Sequence, residues 1–405
     1  VGEVTMSGDL IIPADQLTRR LKIMEEEYYN RDVLRLDVIM LTDIYSDGGY
    51  ANVDISPRID EDTEKLEVNI TFDIKKGKQV YFEEITITGN SKTRDKVIRR
   101  QLMVYEQELY SGRRLKRSVQ NLYRLDFFED IKVDTSKGSA DDKMKLNIDI
   151  TEKDTGAFSF GAGYGNAENM FLTGSVAERN LFGRGQTLSF KAQLGAKTGR
   201  YTLSFTEPWL FDIPLSAGVD AYNWRYSFST YDKDSIGGSL RFGYPVFDFS
   251  RLNISYTYDI ADIKNVDDDA SDNIKKDQGE NIKSSITTKL RYDSRNNRFH
   301  PTRGSAHSAT YEFAGLGGSV GFNKVVAETG WYYPLFWNII GVLHAKGGYV
   351  KELQGMDLPD YEKFYMTGID SLRGFERDDL SPRDENGTEV GGTKFIQGNV
   401  EVRFP

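Results

Sequence analysis

The chain offers few groups for chemistry on a substrate. Its three histidines, His300, His307 and His344, fall in separate strand-like or turn-like segments, and His300 sits in the turn-like run Arg298-Phe299-His300-Pro301. Their spacing matches neither a metal-ligand set nor a Ser/His/Asp arrangement. Cysteine is absent, which removes disulfides, thiolate zinc sites and cysteine nucleophiles. Asp267-Asp268-Asp269 has the charge to attract calcium but lacks a calcium-loop pattern, so it reads as a solvated loop. The expectation is no catalytic residue, no metal and no cofactor. What remains is the chemistry of the peptide backbone and of single charged side chains, which depends on the elements that position them.

At 405 residues the chain is too long for one ordinary domain, and two or three units are expected. No stretch approaches the roughly 18 continuous apolar residues that a transmembrane helix needs. The modest 39% hydrophobic content still permits a β-barrel, because membrane strands alternate apolar with polar residues. The 38 glycines, 23 tyrosines and 23 phenylalanines suit such strands and their aromatic girdles. A net charge of −10 argues against a nucleic-acid partner. The chain begins at Val1-Gly2 without a basic and apolar leader, so any export signal has been removed or was never in this segment.

The first 155 or so residues are charged and mix helical with strand patterns, and they contain a weak repeat of about 80 residues. Val4-Thr5-Met6-Ser7-Gly8 resembles Ile85-Thr86-Ile87-Thr88-Gly89, Arg19-Arg20-Leu21 resembles Arg100-Gln101-Leu102, and Val68-Asn69-Ile70 resembles Leu146-Asn147-Ile148. Ile44-Tyr45 followed by Gly49-Tyr50 matches Leu122-Tyr123 followed by Phe127-Phe128. Each copy reads as a strand, two helices and two strands. In the second copy the first strand is expected at about 82–88. Ser91 or Thr93 is expected to cap a helix running to about Leu102, and Ser111 to cap a second. Leu115, Val119, Leu122 and Leu125 share one face of that second helix. Strands are expected near Ile131–Asp134 and Met144–Thr151, the latter alternating through Leu146, Ile148 and Ile150.

After about Thr155, short alternating segments recur between Gly, Asp, Asn and Pro. Phe158, Phe160, Ala162 and Tyr164 fall on one face, with Ser159, Gly161 and Gly163 opposite. Leu188, Phe190, Ala192 and Leu194 alternate in the same way, as do Leu252, Ile254, Tyr256, Tyr258 and Ile260. The opposite faces carry Lys191, Arg241, Lys289 and Arg291, which suits a wide barrel with lipid outside and a polar lumen better than a soluble sandwich. About twelve such segments precede Phe404-Pro405, and the acidic connection Val266–Gln278 suits an external loop. Trp209, Phe211, Trp224, Trp331, Tyr332 and Tyr333 at strand ends suit a membrane-interface belt.

The two repeats resemble polypeptide-transport-associated (POTRA) modules. Phe158–Gly165, FSFGAGYG, resembles the first barrel strand of the BamA-type family of outer-membrane β-barrel assembly proteins. Asp293-Ser294-Arg295 with Pro301-Thr302-Arg303-Gly304 matches a recurrent strand-turn-strand pattern of that family. The most specific match is Leu372-Arg373-Gly374-Phe375, preceded by Phe364-Tyr365 and Gly368. It resembles the tip of the sixth external loop, which in the family folds back into the lumen. The resemblance covers essentially the whole chain. It implies two α+β POTRA modules (β-α-α-β-β), at 1–79 and 80–154, followed by an antiparallel transmembrane β-barrel at 155–405. The family barrel has more strands and the family usually more modules, so the chain is expected to be cut short at both ends, with about 12 strands of 16.

The resemblance also implies roles. Arg373, within Leu372, Arg373, Gly374 and Phe375, is expected to pin the loop inside the lumen by pairing with Glu401, whose parity opposes that of Ile396, Val400 and Val402. The strand Phe158, Ser159, Phe160, Gly161, Ala162, Gly163, Tyr164 and Gly165 is expected to form a weak seam and to template an incoming strand by β-augmentation. The blander reading is an ordinary strand whose glycines relieve crowding near the lumen. Glu106 and the edge strand through Ile131, Lys132 and Val133 are expected to meet partners. Expected partners are unfolded outer-membrane proteins, accessory outer-membrane lipoproteins and the bilayer, with the barrel in the outer membrane and the modules in the periplasm. The function implied is assembly and insertion of β-barrel proteins. The rival is a two-partner-secretion type transporter that exports a client through its lumen.

Overall fold

The computed structural model describes residues 1–165, 169–337, 339–366, 380–385, 387 and 389–404. Contacts divide the chain into two units, one of Val1–Thr155 with Phe182–Arg184, the other of Gly156–Leu181 with Gly185–Pro405.

The first unit holds two copies of one arrangement. Copy one is β1 (Val4–Gly8), α1 (Ala14–Thr18), α2 (Arg31–Asp47), β2 (Asp54–Asp62) and β3 (Glu67–Lys75). Copy two is β4 (Tyr81–Thr88), α3 (Asp95–Arg99), α4 (Gly112–Leu125), β5 (Phe128–Lys137) and β6 (Lys143–Glu152). In each copy the last strand lies central, parallel to the first and antiparallel to the second, giving the orders β1-β3-β2 and β4-β6-β5. The period-two pattern of β6 buries Met144, Leu146, Ile148 and Ile150 against Phe82, Val97, Ile98 and Leu122. Leu17, Ile23, Leu41, Tyr45, Ile70 and Phe72 form the equivalent core of copy one. The repeated glycine has a steric cause. Gly8 and Gly89 hold φ of 87° and 82°, and a Cβ there would lie 2.2 Å and 1.9 Å from the carbonyl oxygens of Ile74 and Ile150.

Carboxylates organise the loops. Asp37 of α2, almost fully buried, accepts the Lys22 and Ile23 amides at 2.9 and 2.8 Å and so caps a short 3₁₀ turn over Lys22–Glu25. Ser111 caps α4 as expected, accepting the Arg114 amide at 3.3 Å. Asp47, the last residue of α2, accepts from Ser111 Oγ at 3.1 Å and the Arg113 amide at 2.9 Å, and pairs with the Arg113 guanidinium. A negative residue thus sits at the N-terminus of the next copy's helix.

The expected helix from Ser91 or Thr93 to Leu102 is corrected to five residues, with Arg94 at the N-cap and no side-chain cap. The chain there is claimed by β6 instead. The Glu152 carboxylate accepts from Ser91 Oγ at 2.9 Å, the Lys92 amide at 2.7 Å and the Thr93 amide at 2.6 Å. Burial opposes ionisation of Glu152, but these bonds outweigh it and hold its carboxyl below the usual range.

The second unit contains a sheet of twelve strands among the described residues. They are β7 (Gly156–Gly165), β8 (Asn169–Leu181), β9 (Gln186–Gly195), β10 (Thr198–Glu207), β11 (Ser216–Ser227), β12 (Asp232–Phe247), β13 (Ser250–Lys264), β14 (Gly279–Asp293), β15 (Gly304–Gly318), β16 (Phe322–Pro334), β17 (Ile340–Glu352) and β18 (Lys394–Arg403). A short helix, α5 (Asp272–Lys276), lies in the long acidic connection before β14. Each strand pairs antiparallel with its neighbours in chain order, so β7 and β18 end the sequence of strands.

The register separates two faces. Phe158, Val176, Phe190 and Leu203 lie side by side across β7–β10, and all four are exposed. Phe158 is 76% exposed, Leu188 37% and Ile254 42%, so the apolar face covers no soluble core. On the other face one continuous row crosses eight strands: Ser159, Ser175, Lys191, Thr202, Tyr222, Gly237, Asp259 and Lys283. Of the proposed aromatic belt, Phe211, Trp331 and Tyr333 are exposed. Trp224 instead shares the polar face with Tyr222, stacks on it at 4.2 Å and donates to Thr202 Oγ1 at 3.2 Å.

Two outcomes follow for the first unit. Asp37→Ala leaves two buried amides without an acceptor and should destabilise copy one by about 1–3 kcal/mol in urea unfolding of fragment 1–155. Glu152, with a depressed folded pKa, contributes stability that is present above the unfolded value of about 4.3 and is lost as pH falls through the folded one. The urea midpoint of the fragment should therefore fall on acidification below about pH 4.5, and Glu152→Gln should shrink that fall.

Candidate functional site

Strand β7 begins the sheet. Its outward side chains Phe158, Phe160 and Tyr164 are exposed, as is Ala162, while Ser159 Oγ lies 2.7 Å from Ser175 Oγ on the polar face. Gly161 and Gly163 also fall on the polar face. A Cβ on Gly163 would approach Phe171 Cζ to 2.5 Å, and one on Gly161 would sit 3.2 Å from Thr173 Oγ1. The glycine at 163 therefore makes room for a neighbouring ring. Gly165 pairs with Asn169 at the strand end. β7 pairs with β8 on one side and ends the strand order, so its backbone presents one hydrogen-bonding edge among the described residues.

In the last α/β copy, β5 is an edge strand. Ile131 is buried in the core, Val133 is half-buried and Lys132 is exposed. The Ile131 side chain packs inward, and the strand's outer edge is backbone. A partner here would bind through the strand backbone. Glu106 accepts the Ile85 amide at 3.1 Å and faces Arg99 Nη1 at 3.8 Å, so it braces β4 against α3.

The described part of the connection between β17 and β18 meets the polar face. Residues Leu372, Arg373, Gly374 and Phe375 lie outside the described residues, and so does the expected pair of Arg373 with Glu401. Glu401 has the polar-face parity on β18 and accepts from Arg403 Nε and Nη2 at 3.4 and 3.3 Å. The described part of the connection carries a 3₁₀ turn, Asp360–Glu362. Its Glu362 Oε1 pairs with Lys283 Nζ of β14 at 2.7 Å, and Lys283 also faces Glu312 of β15 at 3.6 Å. Lys324 Nζ of β16 donates to the Glu362 carbonyl at 2.7 Å and lies 3.7 Å from its carboxylate. Lys233 Nζ of β12 sits 3.7 Å from the Tyr361 ring centre. Tyr222 donates to Asp259 Oδ1 at 2.8 Å beside this group.

Asp360, 1% exposed, accepts from Lys363 Nζ at 3.0 Å, from the Tyr365 hydroxyl and from the Gly391 amide at 3.2 Å. Its own amide donates to Asp277 Oδ2 at 2.7 Å, just after α5. Burial pushes the Asp277 carboxyl up to about 6, with the Asp360 charge adding to the rise. Phe364 and Gly392 exchange two backbone bonds, and Phe364 packs with Phe395 and with the buried group Ala314, Val320, Phe322 and Val350. Sequence reasoning passed over Glu362, Lys283 and Lys324. Strand parity alone put Lys283 and Lys324 on the polar face, but which loop carboxylate meets them is not a periodic property.

The histidines are apart. His307 is held by Thr329 and Ser305 at 2.7 and 3.0 Å, His344 by Glu328 at 2.9 Å, and His300 is exposed in a turn. Among the described residues no three imidazole or carboxylate groups converge as metal ligands.

Comparison with known proteins agrees with this architecture. The Omp85 superfamily domain matches residues 180–405, and the POTRA model, described as a surface antigen variable number repeat, matches 1–77 and 80–153. The outer membrane protein assembly factor BamA of Nitratidesulfovibrio vulgaris is 33% identical over 408 aligned residues, covering 99% of this chain and 52% of the relative. The chain spans about half the length of the curated relatives it matches. The crystal structure of Haemophilus ducreyi BamA lacking POTRA domains 1–3 superposes with a TM-score of 0.76 at 21% identity, over 99% of this chain and 82% of that one. CdiB from Escherichia coli gives 0.53 at 13%, over 93% and 72%. These structural likenesses concern the fold. On the match over more than half its length, the chain belongs to the Omp85 superfamily of outer-membrane β-barrel proteins, with two POTRA modules ahead of its barrel strands.

Proposed function

We propose that the chain is the membrane-proximal part of a machine that assembles and inserts β-barrel proteins into the outer membrane. The observation that carries the reading is the pairing of a two-faced strand sheet, ended by β7, with two POTRA modules in one chain that is 33% identical to an assembly factor over nearly its whole length. The modules, at 1–79 and 80–154, sit in the periplasm and receive unfolded outer-membrane proteins and accessory lipoproteins. The edge of β5 around Ile131–Val133 offers backbone groups to an extended segment, and the segment at Glu106 meets a lipoprotein. The strands from 155 onward span the bilayer.

The mechanism needs neither fuel nor a chemical step. An unfolded client has unpaired N–H and C=O groups, each costing several kcal/mol in hydrocarbon. The Phe158–Gly165 edge pairs with those groups while the client folds. Main-chain bonds supply affinity with little demand on client sequence, which suits many clients. The expected Arg373–Glu401 pairing, which lies outside the described residues, would hold the Leu372–Phe375 loop tip inside the barrel. The fold likeness to CdiB is weaker than the one to BamA.

Depleting the full-length protein in its native host should lower outer-membrane barrel proteins in general. Loss of one secreted protein with the other barrels intact would favour export. Photo-crosslinking side chains placed along β7 should capture a nascent client strand with a period of two, reflecting the pleat. Capture without periodicity, or none at any position, would contradict templating by this edge.

A further inference from the structure

We propose that Glu362 is a positioning residue, a half-buried ionic pin that seats the β17–β18 connection on the polar face independently of Arg373. The inference concerns where the loop sits; it rests on the assembly reading only for what a seated loop is used for.

Three ammonium groups converge on this turn from alternate strands. Lys283 reaches Glu362 at 2.7 Å, Lys324 approaches its carboxylate at 3.7 Å and binds its carbonyl at 2.7 Å, and Lys233 rides over the preceding Tyr361 ring at 3.7 Å. The side chains of Lys283, Lys324 and Glu362 are 18%, 20% and 13% exposed. Glu312 and Asp259 are further carboxylates near Lys283 among the described residues. Without Glu362, Lys283 and Lys324 lose the carboxylate that the turn brings to them in a poorly solvated place. Removing one partner of such a group is costly because the other charges stay buried and under-compensated.

The geometry points to a loop held on β14 and β16 by a carboxylate supplied from the loop. The expected Arg373–Glu401 contact would hold it on β18 by a cation supplied from the loop. The two contacts would have opposite polarity and use different strands. The Phe364 packing and the Asp360 bonds to Lys363, Tyr365 and Gly391 keep the turn compact, so Glu362 moves with the segment as a unit.

The test uses the full-length protein in proteoliposomes with a single cysteine at Leu358, which packs beside the buried Phe322 group when the loop is seated. The readout is the labelling rate by a membrane-impermeant maleimide. Glu362→Lys should raise the rate by about tenfold or more, and Glu362→Gln by less. Combining Glu362→Lys with Lys283→Glu restores the opposite-charge pair and should return the rate towards the parent. If Glu362→Lys alone does not fold, recovery of folded barrel by Lys283→Glu is the supporting result, and failure to recover overturns the pin. A parent-like rate in Glu362→Lys also overturns it. Client insertion is measured separately on the same samples. Raised labelling with normal insertion leaves the pin standing and removes loop seating from the assembly mechanism.

Discussion

A strand crossing hydrocarbon must pair every backbone N–H and C=O with another strand, because no water is there to take them. The rest of the second unit follows from this. Twelve antiparallel neighbours satisfy one another in chain order, and the side-chain period of two then assigns each residue to lipid or to the polar interior. The row Phe158, Val176, Phe190 and Leu203 and the row from Ser159 to Lys283 are two consequences of one register. Strand edges are where the constraint is least easily met, and β7 is such an edge among the described residues.

The polar interior creates the opposite problem. Charged side chains that avoid lipid must find partners in a confined space. Here the solution comes from the long β17–β18 connection, whose Asp360 and Glu362 enter with acceptors already aimed at backbone amides, a tyrosine hydroxyl and strand lysines. The α/β modules use the same device on a smaller scale. Asp37, Asp47 and Glu152 each fasten a loop or helix end by accepting two or more donors. An anion with several oriented donors holds irregular backbone where no ladder is available.

These devices mark the boundary of what could be read from residues alone. Strand alternation is local and periodic, so the faces of β7, β9 and β13 were readable from residue order, as were the β-α-α-β-β modules and the Ser111 cap. The helix expected from Ser91 or Thr93 fails because Glu152, about sixty residues away, takes the donors that a local cap would have used. Ile131 reads as an edge residue by position, and only the packing shows its side chain in the core. The Glu362 cluster joins β12, β14, β16 and a loop, a meeting across strands rather than a pattern within a segment.

The most direct test of the two-faced sheet is site-directed spin labelling of the full-length protein in lipid vesicles, one position at a time along β9 and β13. The account predicts collision with dissolved oxygen at Leu188, Phe190, Ile254 and Tyr256, and collision with a water-soluble nickel reagent at Ser189, Lys191, Ser255 and Thr257. The two accessibilities should alternate residue by residue and out of phase. Equal water access on both faces, or an alternation in the reverse phase, would contradict a lipid-facing apolar wall and with it the whole functional reading.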